Sequence, residues 1–315
     1  MKINKIIITG GAGFIGSHIA ENCFKKFKNA KIIIIDKFTY AGFISNLKSI
    51  KDHKRVKIIK SDICTLKNEK SIFSDTDLLI HAAAESHVDN SFGNSKIFSK
   101  TNIIGTHNIM EISRYYSVKK IIHISTDEVY GDILRGSFSE NDSLNPTNPY
   151  SASKAAAEMI IKSYIKSFNL PVIIIRPNNI YGSRQFPEKL IPKSIYLLNK
   201  NKKVPLHGNG KNVRHFLSIQ DFIFGLFLII KKGNIQETYN IGSSDGYSNY
   251  NIVKQICEIL KLDVKSNIQF VNDRPYNDLR YSINYSKIKK LGWFQKRFIE
   301  KDLNNLVKFY SYNLK

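Results

Sequence analysis

Lys5-Ile6-Ile7-Ile8-Thr9-Gly10-Gly11-Ala12-Gly13-Phe14-Ile15-Gly16 is the stretch that decides the fold. Residues 5–9, β-branched without a break from Ile6 to Thr9, have the pattern of a parallel strand buried on both faces. Glycines at 10, 13 and 16 then permit a tight turn, close backbone approach to a pyrophosphate and tight helix–strand packing. A helix running from there to about Lys26 would turn its free N–H groups and positive dipole end toward the phosphates. Working outward, a second strand over 31–35 ends in Asp36. A carboxylate at that place accepts hydrogen bonds from an adenosine ribose and repels a 2′-phosphate. The expected cofactor is therefore NAD rather than NADP, with the cation of Lys37 next door keeping the second option open.

Further strand signals fall at 56–60, 78–81, 119–125 and 172–176, with helical stretches between them. Alternation of this kind predicts an α/β fold, a Rossmann-type doubly wound parallel sheet. Asp62 and Ile63 follow the third strand and are placed to hold an adenine. Ala82, Ala83 and Ala84 follow the fourth and are small enough to let a cofactor lie on the backbone, though close packing alone would also explain them. After about Pro177 the pattern loosens into loops with scattered polar residues. We expect residues 1–177 to form the NAD-binding domain and 178–315 a smaller C-terminal substrate-binding lobe, with some chain crossing back to the sheet. Arg214 and Arg274 are candidates to grip a diphosphate, because guanidinium forks match phosphate oxygens.

The chemistry concentrates in two places. Ser125-Thr126-Asp127-Glu128 ends the run of 121–124, and ligands in open α/β sheets bind at the carboxyl ends of strands. Tyr150 and Lys154 lie four apart at the start of a helix and so share a face. A nearby ammonium favours phenolate, which could bring a tyrosine down from about 10 into the range of a working base. Spacing alone says little, since 6 of the 16 tyrosines have a lysine four places on. Tyr150 differs in having the acidic triplet upstream and the glycine-rich turn at the N-terminus.

Composition bounds the rest. A chain of 315 residues can bury a large core. It has no apolar run near 18 residues, so no membrane span is expected, and the first strand starts too early to leave room for a signal peptide. Cys23, Cys64 and Cys257 are far apart and match no metal or CxxC spacing. Free thiols and a cytoplasmic location are expected, with no metal. The net charge of +22 is spread over lysines along the chain. Biased coding toward lysine, asparagine and isoleucine explains it, as would a functional basic surface; no nucleic-acid or membrane partner is expected.

Taken together, TGGAGFIGS (9–17), DKFTYAG (36–42), AAAESHVDNS (82–91), STDEVYGD (125–132), NPYSASKAAAE (148–158), QFPEKLIP (185–192), YNIG (239–242) and DRPYNDLRY (273–281) resemble the nucleotide-sugar 4,6-dehydratases of the extended short-chain dehydrogenase/reductase group. The resemblance covers nearly the whole chain, and the Thr-Asp-Glu triplet is its specific part. It implies oxidation at C4 of a nucleotide-diphosphate hexose, loss of water across C5 and C6, and return of the hydride to C6, with NAD recycled at each turnover. It assigns O4 chemistry to Thr126, Tyr150 and Lys154, the C5 proton to Glu128 and the departing O6 to Asp127. It implies cofactor contacts from Gly10, Gly13, Phe14, Ile15, Gly16, Asp36, Lys37, Thr39, Asp62, Ile63, Ala82, Ala83, Ala84, Thr101, Tyr150 and Lys154. It implies substrate contacts from Ser86, Thr126, Asn179, Lys189, Leu190, Pro205, His207, Arg214, Asn240 and Arg274. It also implies a homodimer built on the helices near 98–116 and 150–168. Asn90, Arg214-His215-Phe216 and Asn178-Asn179-Ile180-Tyr181-Gly182 depart from the bacterial pattern, and none of these departures removes a catalytic group. The segment from Asp132 to Tyr150 is shorter than is usual in bacterial dTDP-glucose enzymes, and the stretches 176–182, 210–214 and 274–278 resemble the dehydratase domain of plant UDP-rhamnose synthases. UDP-glucose is thus the expected substrate, with a separate epimerase/reductase downstream. The alternatives are dTDP-glucose, a 4-epimerase that has no use for Asp127 and Glu128, and a non-enzymatic nucleotide-sensing or nucleic-acid-binding protein.

Overall fold

The computed structural model describes residues 2–66 and 70–314. Its strands, in chain order, are β1 (Lys5–Thr9), β2 (Lys31–Asp36), β3 (Val56–Lys60), β4 (Leu78–His81), β5 (Ile121–Ile124), β6 (Val172–Pro177), β7 (Asn179–Tyr181), β8 (Val204–His207), β9 (Val213–Ser218), β10 (Thr238–Ile241), β11 (Gly246–Ser248) and β12 (Ile268–Val271). Seven of them make one sheet in the order β10-β6-β5-β4-β1-β2-β3, and every pair is parallel. The winding reverses between β1 and β4, which opens a crevice at the carboxyl ends of those strands, the usual place for a ligand.

The isoleucine-rich strands explain why the sheet is covered on both sides. Ile6 and Ile8 of β1 face one core, with Ile19, Ala20 and Cys23 of the Phe14–Lys26 helix and Phe222 and Leu226 of the Ile219–Lys232 helix. Ile7 faces the other, with Ile109 and Met110 of the Thr106–Tyr115 helix and Ile161 of the Pro149–Phe168 helix. Alternation along one strand thus feeds two cores, and each fully buried isoleucine contributes about 1.5–3 kcal/mol. Both β10 and the Ile219–Lys232 helix belong to the large sheet body.

A third core lies under the pocket-facing strands of the C-terminal half. It joins the helices Leu190–Asn199, Asn249–Ile259 and Ile299–Asn313 to β8 and β12, which pair in parallel. The sheet β11-β9-β7 completes this lobe. The helix expected near 98–116 is observed in two parts, a π-helical Ser99–Gly105 followed by Thr106–Tyr115. The wide turn points Asn102 inward, where its amide donates to Ser153 Oγ (2.8 Å) and to the Glu85 carbonyl (3.0 Å). Such π segments recur where a helix serves a site. The helix that carries Tyr150 has a strong start: Asn148 and Ser151 form a reciprocal capping box and Pro149 fills the first position.

Candidate active site

The cofactor half of the site is built by close approach of backbone. Gly10 has φ +68°, and a Cβ there would stand 2.6 Å from Ala83 Cα. A Cβ on Gly16 would stand 2.0 Å from the Gly10 carbonyl. Only glycine fits either place. Gly13 caps the Phe14–Lys26 helix without a side-chain acceptor, so the first-turn N–H groups remain open to an anion. Asp36 accepts from Ala12 N and Phe38 N at 2.8 Å each, and burial raises its carboxyl above the ordinary range. Lys37 is engaged with Asp62 at 2.8 Å, which removes it as a free partner for a 2′-phosphate. Cradle, open helix end and ribose carboxylate therefore fit a dinucleotide without that phosphate.

These residues open onto one cleft of about 430 Å³. Every expected cofactor residue lines it: Gly10, Gly13, Phe14, Ile15, Gly16, Asp36, Lys37, Thr39, Asp62, Ile63, Ala82, Ala83, Ala84, Thr101, Tyr150 and Lys154. From the other lobe come Asn179, Lys189, Leu190, Pro205, His207, Arg214 and Arg274, with Ser86 facing them and Thr126 at the centre. Lys189 Nζ donates to the Ser86 carbonyl (2.6 Å) and Arg274 Nε pairs with Asp89 Oδ1 (2.5 Å), so the two lobes meet across the cleft. Arg214 lies over the Tyr281 ring, 4.6 Å from its centroid.

Asn240 is a correction. It is fully buried and does not line the cleft. Its side chain accepts from Tyr130 OH (2.9 Å) and donates to the carbonyls of Asn284 (3.0 Å) and Phe138 (3.3 Å), which leaves nothing to offer a substrate. A polar residue in a strand of the main sheet can serve structure as well as a site.

Asp127 and Glu128, the expected proton-transfer groups, sit on a 3-10 turn, Asp127–Tyr130, capped by Thr126. Thr126 Oγ1 accepts from Glu128 N (3.3 Å) and donates to Asp127 Oδ1 (3.2 Å). Asp127 also accepts from Asn178 Nδ2 at 2.6 Å and lies just behind the cleft wall rather than in it. Burial, and then the charge of Glu128, push its carboxyl up to about 7. Burial likewise raises Glu128, against the pull of Arg214 and Lys189. Tyr281 OH stands 3.5 Å from Glu128 Oε2 and bonds Asp278, two groups that sequence reasoning did not single out although they close the 273–281 stretch.

The expected help from Lys154 to Tyr150 takes another form here. Lys154 Nζ donates to the Ile124 carbonyl (2.8 Å) and faces His123 Nε2 (3.5 Å), while burial lowers its ammonium to about 8. Burial, with the carboxylates Glu128 and Asp127, raises the Tyr150 hydroxyl well above its usual value, and the Thr126 hydrogen bond opposes that rise. The i, i+4 spacing gives the shared face, but the ammonium is committed to β5.

A family model described as GDP-mannose 4,6 dehydratase matches residues 7–305. A dTDP-D-glucose 4,6-dehydratase of Dictyostelium discoideum is 43% identical over 99% of this chain and 82% of its own. A trifunctional UDP-glucose 4,6-dehydratase/UDP-4-keto-6-deoxy-D-glucose 3,5-epimerase/UDP-4-keto-L-rhamnose-reductase of Arabidopsis thaliana is 42% identical over 98% of this chain, which spans 47% of that relative's length. Among solved structures, a dTDP-glucose 4,6-dehydratase from Streptomyces venezuelae, crystallised with NAD, superposes with a TM-score of 0.95 at 34% identity, covering 99% of this chain and 100% of its own.

Proposed function

We propose, for a chain that belongs to the GDP-mannose 4,6 dehydratase family and is an NAD-dependent nucleotide-sugar 4,6-dehydratase, that its substrate is UDP-glucose and its product UDP-4-keto-6-deoxyglucose. The observation that carries the reaction class is the pair Asp127 and Glu128, both buried with raised carboxyls, on a turn beside Tyr150 and Lys154. Oxidation and reduction at C4 alone need only the tyrosine and the lysine; water loss needs an acid and a base.

Bound NAD would be held by the glycine cradle and Asp36 and supplies a reversible hydride acceptor, which no side chain can offer. Tyr150 takes the proton of the sugar O4, with Thr126 fixing its orientation. Tyr150 must be phenolate to accept that proton and ends as the neutral phenol; the positive charge of Lys154 on the same helix face favours the phenolate while its Nζ stays bonded to the Ile124 carbonyl. A ketone at C4 acidifies the C5 hydrogen, and Glu128 removes that proton. Asp127, raised to about 7, still carries a proton near neutrality and would give it to the departing O6 on turning from Asn178 toward the cleft, since at rest it lies just behind the wall. Two neighbouring carboxyls with opposite tasks require environments that separate them. Here burial and the charge of Glu128 keep the proton on Asp127, against the hydrogen bonds of Asn178 and Thr126, while Arg214 and Lys189 favour the charged form of Glu128.

The UDP assignment rests on the stretches 176–182, 210–214 and 274–278, which resemble the plant enzymes. A separate epimerase/reductase would then carry the product toward rhamnose. The similarity to the Dictyostelium and Streptomyces proteins favours a second reading, dTDP-glucose. The substrates differ by one methyl and one 2′-hydroxyl. A methyl is worth about 1–3 kcal/mol, so cross-activity is expected, whereas a site that bonds the hydroxyl discriminates more strongly. The test is kcat/KM for both nucleotides with mass spectrometry for loss of one water. A preference for UDP-glucose supports the proposal; a clear preference for dTDP-glucose overturns it.

A further inference from the structure

The Glu158–Arg176 ion pair is fully buried on both sides, and the chemistry described above makes no use of it. Glu158 lies on the Pro149–Phe168 helix, four residues beyond Lys154 and on the same face. Arg176 lies on β6, next to the strand that ends in the catalytic turn. Arg176 Nε donates to Glu158 Oε1 and Oε2 at 3.0 and 3.2 Å. Each member then reaches one end of the turn. Ser125, just before it, donates its hydroxyl to Glu158 Oε1 at 2.6 Å. Tyr130, its last residue, accepts from Arg176 Nη1 at 2.5 Å, and the guanidinium lies 4.6 Å from its ring centroid. Tyr130 OH in turn donates to Asn240, which closes the network on β10.

We propose that Glu158 and Arg176 are a positioning pair, which holds the turn of Thr126, Asp127 and Glu128 in register with the helix of Tyr150 and Lys154. Both halves of the reaction must address one sugar ring, the hydroxyl chemistry at C4 and the water loss at C5 and C6. They stand on different elements, and the pair ties both ends of one to a single point on the other. Burying two charges is a poor way to gain stability, because desolvation offsets their attraction and an apolar pair of similar size is often as stable. What the pair offers instead is fixed direction, through bonds that a hydrophobic contact lacks. A displacement of about 1 Å at reacting groups costs on the order of 10²-fold in rate.

The inference rests on the dehydratase reading, so the wild-type enzyme is assayed in parallel; its loss of water from a nucleotide hexose tests that reading by itself. Glu158→Gln alone leaves Arg176 charged and unpaired and invites unfolding. The decisive variant is therefore the charge-free double, Glu158→Leu with Arg176→Met. We expect it to fold, to retain NAD and to keep KM within about threefold, while kcat falls by about 30-fold or more. In single turnover, NADH should accumulate above the wild-type level, because C4 oxidation proceeds and elimination lags. A folded double variant with kcat within threefold of wild type overturns the proposal, as does a loss confined to KM and NAD retention. Glu158→Asp with Arg176→Lys, which restores the charges with altered reach, should recover part of kcat; no recovery beyond the apolar double counts against it.

Discussion

Asp127 is where burial and chemistry meet most directly. Its carboxyl is raised from the usual 3.8 to about 7, chiefly by desolvation. A group that holds its proton more tightly folded than unfolded makes the folded state bind more protons between those two values. Stability then falls as pH rises from about 4 to about 7, and the penalty persists above that. Asp127→Asn removes the penalty, so its thermal midpoint should exceed wild type by at least about 2 °C at pH 8, with little difference at pH 4. Calorimetry at the two pH values checks this; an unchanged or lower midpoint at pH 8 would contradict the assigned direction. The same variant should lose water elimination while still forming NADH in single turnover, and Glu128→Gln should behave alike, since both groups act after the ketone exists. Tyr150→Phe should instead suppress the first step, by about 10² to 10⁴ as for a lost general base. In the wild type, elimination should decline above about pH 7 as Asp127 loses its proton.

At the scale of the element, the Pro149–Phe168 helix shows why local pattern was readable. The Asn148–Ser151 box and Pro149 mark its start in the sequence, and Tyr150 and Lys154 fall one turn apart. Asn148→Ala should cost about 0.5–2 kcal/mol, seen as a lower thermal midpoint, and should disturb the first turn that holds Tyr150. Wild-type stability and activity in that variant would show the cap to be unimportant. Six of the seven strands of the main sheet were legible for the same local reason, apolar runs that end in polar residues, as was the glycine cradle; β10, short and read as loop, was not. Asn240 was not, because a polar residue before Ile241-Gly242 looks the same whether it meets a substrate or Tyr130. Nor was the engagement of Lys154 with the Ile124 carbonyl, since spacing gives a shared face and no partner. The Glu158–Arg176 contact joins residues 18 apart through a helix and a strand, a pairing that only the assembled sheet creates. The cradle also carries a prediction: denatured protein should release NAD, and turnover should require no stoichiometric addition of it. Release of NADPH, or a need for added NAD at each turnover, would contradict the reading of Asp36 and Lys37.

On the scale of the whole molecule, the cleft is lined by one chain, yet a neighbouring surface is poorly suited to water. The two helical stretches that cover one face of the sheet expose Ile97, Ile104, Tyr115, Met159 and Phe168, at 37, 54, 78, 48 and 50% of their surfaces. Scattered apolar residues are ordinary on a monomer, but these lie on consecutive helical segments, Ser95–Phe98, Ser99–Gly105 and Thr106–Tyr115, and on the Pro149–Phe168 helix that all three pack against. A second copy presenting the same face would bury them in an isologous contact, for which a stable interface needs about 1,200–2,000 Å². The charge of +22 opposes association at long range, so the apolar contact must prevail at short range, and salt should strengthen rather than weaken the pair. Light scattering at micromolar concentration should give twice the 36.1 kDa of one chain. Ile104→Lys with Met159→Lys should give the single-chain mass. Because the cofactor cradle is complete within one chain, that variant should still bind NAD. It should lose activity only as far as the dimer braces the helix that carries Tyr150 and Lys154. A wild-type protein of single-chain mass under these conditions would reject the dimer, and would leave the exposed face to be explained by another partner.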